Sequence, residues 1–165
     1  MDVVLYRIDD RLIHGQVMTA WAKFTNANHV IIIDDQVVKD SFMCKILTMA
    51  APRGMQVEIF NLQDGIDKLR KQGDPEKRTI VLMKTPFVAL QLVEAGIKLP
   101  LLNVGGMGAG PGRKQLFRNI SASTEEIEEL KKIENLGVPV QFKIVPDDKA
   151  VALNKVVKQA ESRLM

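Results

Sequence analysis

Val3-Val4-Leu5-Tyr6-Arg7-Ile8 runs straight into Asp9-Asp10-Arg11-Leu12-Ile13-His14-Gly15-Gln16, after which Val17, Ala20, Trp21 and Phe24 recur at helical spacing. Val3, Val4, Leu5 and Ile8 leave little polar side to show water, so the first segment predicts a central strand covered on both faces. The i, i+3, i+4, i+7 set predicts one buried stripe on a helix opening near His14 or Gly15. A strand, a polar loop and an amphipathic helix form the repeating unit of a parallel sheet, and the alternation continues outward from here. Further strands are predicted at 30–33, 56–60, 79–83, 101–104 and 140–145, with a short one at 118–121. Helix is predicted over 38–51 and 62–69. Thr85-Pro86 supplies an N-cap and an N1 proline to a helix ending at Gly96. Ser123 with Glu126 makes a capping box before Ile127, Leu130 and Ile133, and Gly137-Val138-Pro139 stops that helix. Leu153, Val156, Val157, Ala160 and Leu164 give the last helix its apolar face. No linker, low-complexity stretch or repeat intervenes, so 1–165 reads as a single α/β domain. The expected architecture is one doubly wound open sheet, mostly parallel, of about six or seven strands with helices on both faces.

The 165 residues are enough to bury a sizeable core without staples, roughly 68 to 70% of the unfolded surface for a domain of this size. One cysteine, Cys44, and two histidines, His14 and His29, exclude an internal disulfide and a zinc or iron–sulfur framework. A reducing, cytoplasmic setting is the simpler reading. The amino terminus meets an acid at once and apolar runs stay short, which predicts neither a signal peptide nor a membrane span. The 23 Lys/Arg against 20 Asp/Glu are interspersed, and aromatics make up only 5%. Nucleic acid is therefore not an expected partner.

In doubly wound sheets ligands bind outside the carboxyl ends of the strands, so function is sought in the loops there. The loop after the first strand gathers Asp9, Asp10, Arg11 and His14 at a helix N-terminus, where unpaired N–H groups and the helix dipole favour an anion such as phosphate. Arg11 can fork onto two phosphate oxygens. Asp9 or Asp10 can fix one ring nitrogen of His14 and leave the other free to attack, which makes His14 a candidate phosphoryl acceptor. A surface or capping histidine is the plain alternative. Gly15 opens the helix. A second loop, carrying Gly105, Gly106, Gly108, Gly110 and Gly112 before Arg113 and Lys114, offers backbone N–H groups and charge to a phosphate, or is only a turn. Lys84 and Thr85 line the same cleft in this reading, with a simple helix cap as the alternative for Thr85. His29 reads as structural.

Several other chemistries fail on spacing. The first strand is followed by Asp9-Asp10-Arg11-Leu12 rather than G-x-G-x-x-G, so Asp34 after the second strand is not enough for a dinucleotide site. There is no P-loop motif. Cys44 lacks an arginine six residues on, where Ala50 stands, so a phosphate-cradling cysteine is unsupported. A receiver domain would need an Asp at Asn61 and a Lys at Gly105.

The run from Arg7 to Val17 resembles the opening motif of the IIB components of the sugar phosphotransferase system, in the mannose/fructose/sorbose family. Glu94-Ala95-Gly96 and Leu102-Asn103-Val104-Gly105-Gly106-Met107 are similar to two further segments of that family, and the likeness covers essentially the whole chain. The resemblance implies a phosphocarrier that acts as a protein-phosphohistidine–sugar phosphotransferase. His14 would accept a phosphoryl group from a IIA protein and pass it to a sugar arriving through the membrane IIC and IID subunits. Arg11 matches the arginine that holds the phosphoryl oxygens, and Asp9 an acid that supports the loop. It further implies a cytoplasmic location, peripheral to the membrane subunits, with IIA as a separate chain, no cofactor and no metal. The sugar is left open among mannose, fructose, sorbose and amino sugars. The competing expectation is a non-enzymatic anion-binding or regulatory α/β module.

Overall fold

A computed structural model describes residues 1–71 and 73–163 of the chain. Its strands are β1 (Asp2–Asp9), β2 (His29–Ile33), β3 (Gln56–Phe60), β4 (Arg78–Met83), β5 (Leu102–Gly106), β6 (Lys114–Phe117), β7 (Ile120–Ala122), β8 (Val140–Phe142) and β9 (Val151–Ala152). Its α-helices are α1 (Gly15–Thr25), α2 (Ser41–Ala50), α3 (Leu62–Arg70), α4 (Pro86–Glu94), α5 (Thr124–Asn135) and α6 (Leu153–Arg163), with a short 3-10 turn at Val37–Lys39 before α2. Seven strands form one sheet in the order β3-β2-β4-β1-β5-β8-β9, parallel except for the β8–β9 pair. β6 and β7 form a separate antiparallel hairpin.

β1 is central, between β4 and β5, as its apolar run requires. Met18, Trp21 and Leu47 of α1 and α2 pack on one face of the sheet with Leu12, Ile13, Val30, Ile32, Ile80 and Leu82. Ile66, Ala89, Leu130 and Val156 of α3 to α6 pack on the other face with Tyr6, Ile8, Ile31, Val81 and Val104. The helix after β1 thus lies on the opposite face from the elements that follow both of β1's neighbours. The carboxyl end of β1 is therefore the topological switch point of the sheet, the position where this fold class binds ligands.

The local signals mostly hold. The capping box forms, with the Glu126 amide donating to Ser123 Oγ at 3.1 Å and the Ser123 amide donating to Glu126 Oε1 at 3.0 Å. Gly96 and Gly137 take positive φ (88° and 97°) just beyond α4 and α5, the left-handed conformation in which helices end. Asp40 and Asn61 cap α2 and α3 with their side chains.

Other expectations need correction. Phe24 is 64% exposed; the buried residues of α1 are Met18, Trp21 and Ala22, with Val17 and Ala20 half-buried. Trp21 is common to both stripes, and the helix is turned to centre it over the sheet, where its Nε1 donates to the Ile144 carbonyl at 2.9 Å. Thr85 occupies the cap position of α4 but its side chain makes no cap bond. The segment at 118–121 is the turn and second arm of a hairpin, with Arg118 at φ 49°. β8 stops at Phe142, three residues short, and the two-residue β9 had no signal in a segment this brief. Leu164, assigned above to the apolar face of α6, lies outside the described residues. No helix among the described residues is long and apolar enough to cross a membrane.

Candidate functional site

The loop that leaves β1 is folded by its own backbone and anchored by its apolar residues. Asp10 N donates to the Gly106 carbonyl at 3.0 Å, and Leu12 N donates to the Asp9 carbonyl at 2.9 Å, closing a turn. Leu12 sits at φ 58°, a left-handed conformation that costs a non-glycine residue roughly 1–2 kcal/mol. Burying Leu12 and Ile13, each worth roughly 1.5–3 kcal/mol, offsets it. The chain then reaches His14 in an extended conformation (φ −147°, ψ 125°) at the N-cap of α1, with no side-chain capping bond. The imidazole is therefore free for other work, beside the unpaired N–H groups of the first helical turn.

One of its nitrogens is already committed. His14 Nε2 lies 2.8 Å from Asp9 Oδ2, while the His14 side chain keeps 21% of its surface exposed. Asp9 is completely buried and is nonetheless held ionised. Burial pushes its carboxyl upward, but the His14 hydrogen bond, the Arg7 charge and the Arg11 backbone N–H outweigh this and hold it below the usual carboxylate range. Arg7 Nη2 donates to Asp9 Oδ2 at 3.1 Å and the Arg11 amide donates to Oδ1 at 3.1 Å. Since an ionised carboxylate only accepts, it fixes the neutral imidazole as its Nε2–H tautomer and leaves the lone pair on Nδ1. Asp9, rather than Asp10, is thus the carboxylate against the ring.

Arg11 stays half out in solvent, its side chain 53% exposed and its Nε 3.6 Å from Asp9 Oδ1, so its guanidinium is loosely held beside His14. Gly15, at φ 43°, opens α1 with no atom within 4 Å of where a Cβ would stand. Lys84 and Thr85 leave β4 next to the end of β1, because Met83 pairs with Ile8. Both are half-buried at the same sheet edge.

Gly105 and Gly106 require correction, because they are buried residues of β5 and not part of an open loop. The register jumps from Ile8↔Val104 to Asp9↔Gly106, which makes Gly105 an extra residue in the strand, a bulge beside the site. A Cβ at Gly105 would overlap the Arg7 guanidinium, and one at Gly106 would lie 2.5 Å from Asp9 Oδ1. Their lack of side chains makes room for Arg7 and Asp9. Arg113 is committed as well. It forks onto Glu126 (Nε–Oε1 2.9 Å, Nη2–Oε2 2.8 Å) and donates to the Gly108 carbonyl at 2.8 Å. Asp10 Oδ2 accepts from Gly108 N at 2.8 Å and pairs with Arg113 Nη1 at 3.4 Å, tying the two loops together. Lys114 opens β6 and is exposed.

Arg7 and Asn103 are the residues that the sequence reading passed over. Arg7 is 1% exposed, and its Nη1 donates to Asn103 Oδ1 at 2.7 Å and to the Lys143 carbonyl at 3.0 Å. The signal was present: a charge inside a strand expected to be covered on both faces must have a buried partner. The remaining chemical side chains are structural. His29 is buried between Thr79 Oγ1 (2.8 Å) and Glu58 Oε2 (2.6 Å), Asp34 accepts the amides of Gln36 and Val37, and Cys44 donates to the Val37 carbonyl. A groove of about 680 Å³ lined by Leu116, Ile127, Val157 and Ala160 includes none of the residues around His14.

Comparison with known proteins gives the family. Residues 3–165 match the family model described as the PTS system sorbose subfamily IIB component. The chain is 35% identical to the sorbose-specific EIIB component of Klebsiella pneumoniae over 97% of its own length and 98% of that protein's. It is 32% identical to the mannose-specific EIIAB component of Escherichia coli K12, covering 98% of this chain and 50% of that one. Among solved structures it superposes on the IIBSor domain of the sorbose permease from Klebsiella pneumoniae with a TM-score of 0.91 at 34% identity, covering 96% of this chain and 98% of that one. With a family match along nearly its whole length and relatives above 30% identity on both sides, the chain belongs to the sorbose subfamily of IIB components of the PTS, the sugar phosphotransferase system.

Proposed function

We propose that His14 is the phosphoryl carrier of this IIB component and that Nδ1 is the atom that takes the group. One observation carries the reading: Nε2 is tied at 2.8 Å to a buried carboxylate, which leaves Nδ1 as the free nucleophile at a helix N-terminus. In the first step the Nδ1 lone pair attacks the phosphorus of a phosphohistidine on a IIA component. A new N–P bond forms while the donor's N–P bond breaks, and the donor imidazole keeps that bond's electron pair. Positive charge gained by the His14 ring is held against Asp9. In the second step a hydroxyl oxygen of the sugar, presented by IIC and IID, attacks the same phosphorus, the His14 N–P bond breaks, and the hydroxyl proton is released.

Phosphoryl transfer depends mainly on positioning and on charge stabilisation. Here the N–H groups opening α1 and the loosely held Arg11 receive the phosphoryl oxygens, with Lys84 and Thr85 along the β4 edge. The partly exposed setting of His14 suits a donor and an acceptor that are themselves proteins. A relative named as a mannose-specific EIIAB component, half of which this chain spans, supports an A-type component as donor. The transfer takes place at the cytoplasmic face of the membrane subunits, which choose the sugar.

Mass spectrometry after incubation with a phosphorylated IIA component tests the reading. We expect one added phosphoryl group, labile in acid and stable in alkali, lost in His14→Ala and kept in His29→Gln. Label retained in His14→Ala overturns the assignment, and alkali-labile label would put the group on Asp9 or Asp10. Phosphate binding without labelling would make the protein an anion-binding module.

A further inference from the structure

Arg7 is the largest fully buried side chain among the described residues, and neither transfer step uses it. A buried guanidinium is tolerated only where it is paired and its donors are satisfied. Around Arg7 the chain supplies Asn103 Oδ1, the Lys143 carbonyl and Asp9 Oδ2, a bulged strand whose Gly105 lacks the side chain that would overlap it, and the Trp21 ring 5.2 Å from its centre. β1, β5, the residue that follows β8 and α1 thus converge on a charge that never reaches the surface. Its outlet is Asp9 Oδ2, the same oxygen that lies 2.8 Å from His14 Nε2.

We propose that Arg7 is a positioning residue that selects Nδ1 of His14 as the phosphoryl-accepting nitrogen, by keeping Asp9 ionised and aimed at Nε2. This rests on the phosphocarrier reading of His14 and adds how the nitrogen is chosen. Burial alone would favour the neutral carboxylic acid at Asp9. Arg11 Nε, 3.6 Å away on a half-exposed side chain, is a weak substitute for a buried charge in contact. A protonated Asp9 would donate to Nε2 instead of accepting from it. The ring would then carry its proton on Nδ1 and present no lone pair outward. The Arg7 charge thus sets the tautomer of an imidazole it does not touch.

Two-bond proton–nitrogen correlation NMR on the unphosphorylated protein reads the tautomer directly. The chain has two histidines, so His29 serves as an internal reference. The spectra are recorded at pH about 8.5, some two units above the ordinary imidazole value. Wild type is expected to show His14 as the Nε2–H tautomer. Arg7→Gln, which keeps hydrogen-bonding capacity but removes the charge, is expected to shift most of the population to Nδ1–H and to cut transfer from phosphorylated IIA at least tenfold. Arg7→Lys is expected to restore Nε2–H. If the two variants behave alike, whether both keep the tautomer or both lose it, the proposal is overturned. Should Arg7→Gln not fold, carbon NMR of the Asp9 carboxyl in wild type and Arg7→Lys decides: an ionised carboxylate in both upholds the positioning role and a protonated one in either overturns it. The tautomer is read without IIA, so a wild type that showed Nε2–H but could not be phosphorylated would end the phosphocarrier reading and leave standing only the control of the tautomer by Arg7.

Discussion

His14 and Arg11 lie three residues apart and share one carboxylate, yet they are held very differently. His14 is hydrogen-bonded to Asp9 at 2.8 Å with a fifth of its side chain exposed, whereas Arg11 is more than half exposed and only within ion-pair range. The ring must be aimed before a partner arrives, while the guanidinium can close on a phosphoryl group once it is there. Arg11→Lys keeps the charge but replaces a planar fork by a point charge. Losing a donor aimed at transition-state charge costs about 2.7–4 kcal/mol in comparable sites, roughly a hundred- to thousandfold in rate. Single-turnover transfer from phosphorylated IIA should slow by that order in Arg11→Lys at unchanged stability. Equal rates would reduce Arg11 to a surface residue.

At the scale of elements, β1 and β5 build the site between them and α1 only receives it. The bulge at Gly105 and the bare Gly106 let two strands close on a buried arginine and a buried aspartate without overlap. Gly106→Ala would press a methyl group against the Asp9 carboxylate. Overpacking of this kind costs about 1–3 kcal/mol, and here it also turns the group that orients His14. The expected outcome is a lowered urea midpoint together with loss of most His14 labelling. Gly110→Ala, with nothing within 4 Å of the new atom, should leave both unchanged. If Gly106→Ala labels normally, the glycine serves packing alone.

Across the whole molecule the two histidines stand at opposite ends of the sheet, one at the carboxyl edge beyond β1 and the other at the first residue of β2. Burial holds the His29 imidazole below its ordinary value of 6.5, against the opposing pull of Glu58. The unfolded chain takes up a proton there as the pH falls through about 6.5 while the folded chain does not, so stability falls with falling pH, by at most about 1.4 kcal/mol per pH unit. This window lies above that of Glu58, whose lowered value makes its contribution fade only below the carboxylate range. Urea midpoints measured between pH 7 and pH 5 should drop in wild type and flatten in His29→Gln, if that variant folds; an equal slope would assign the effect elsewhere. The alternation of apolar runs and helical stripes made the parallel sheet and the central place of β1 legible, because a strand covered on both faces has no polar side to hide. The Asp9–His14 loop was legible for a similar reason, as polar groups crowded at a strand end next to a helix start. Which acid faces the ring, the commitment of Arg113 to Glu126, and the use of Gly105 and Gly106 as space for other side chains were decided by tertiary structure alone. The two glycines depend on the register between β1 and β5, and Asp10 is held by Gly108 and Arg113, in both cases residues about a hundred positions apart; local sequence carries no record of which atoms so distant a segment will bring within hydrogen-bonding reach.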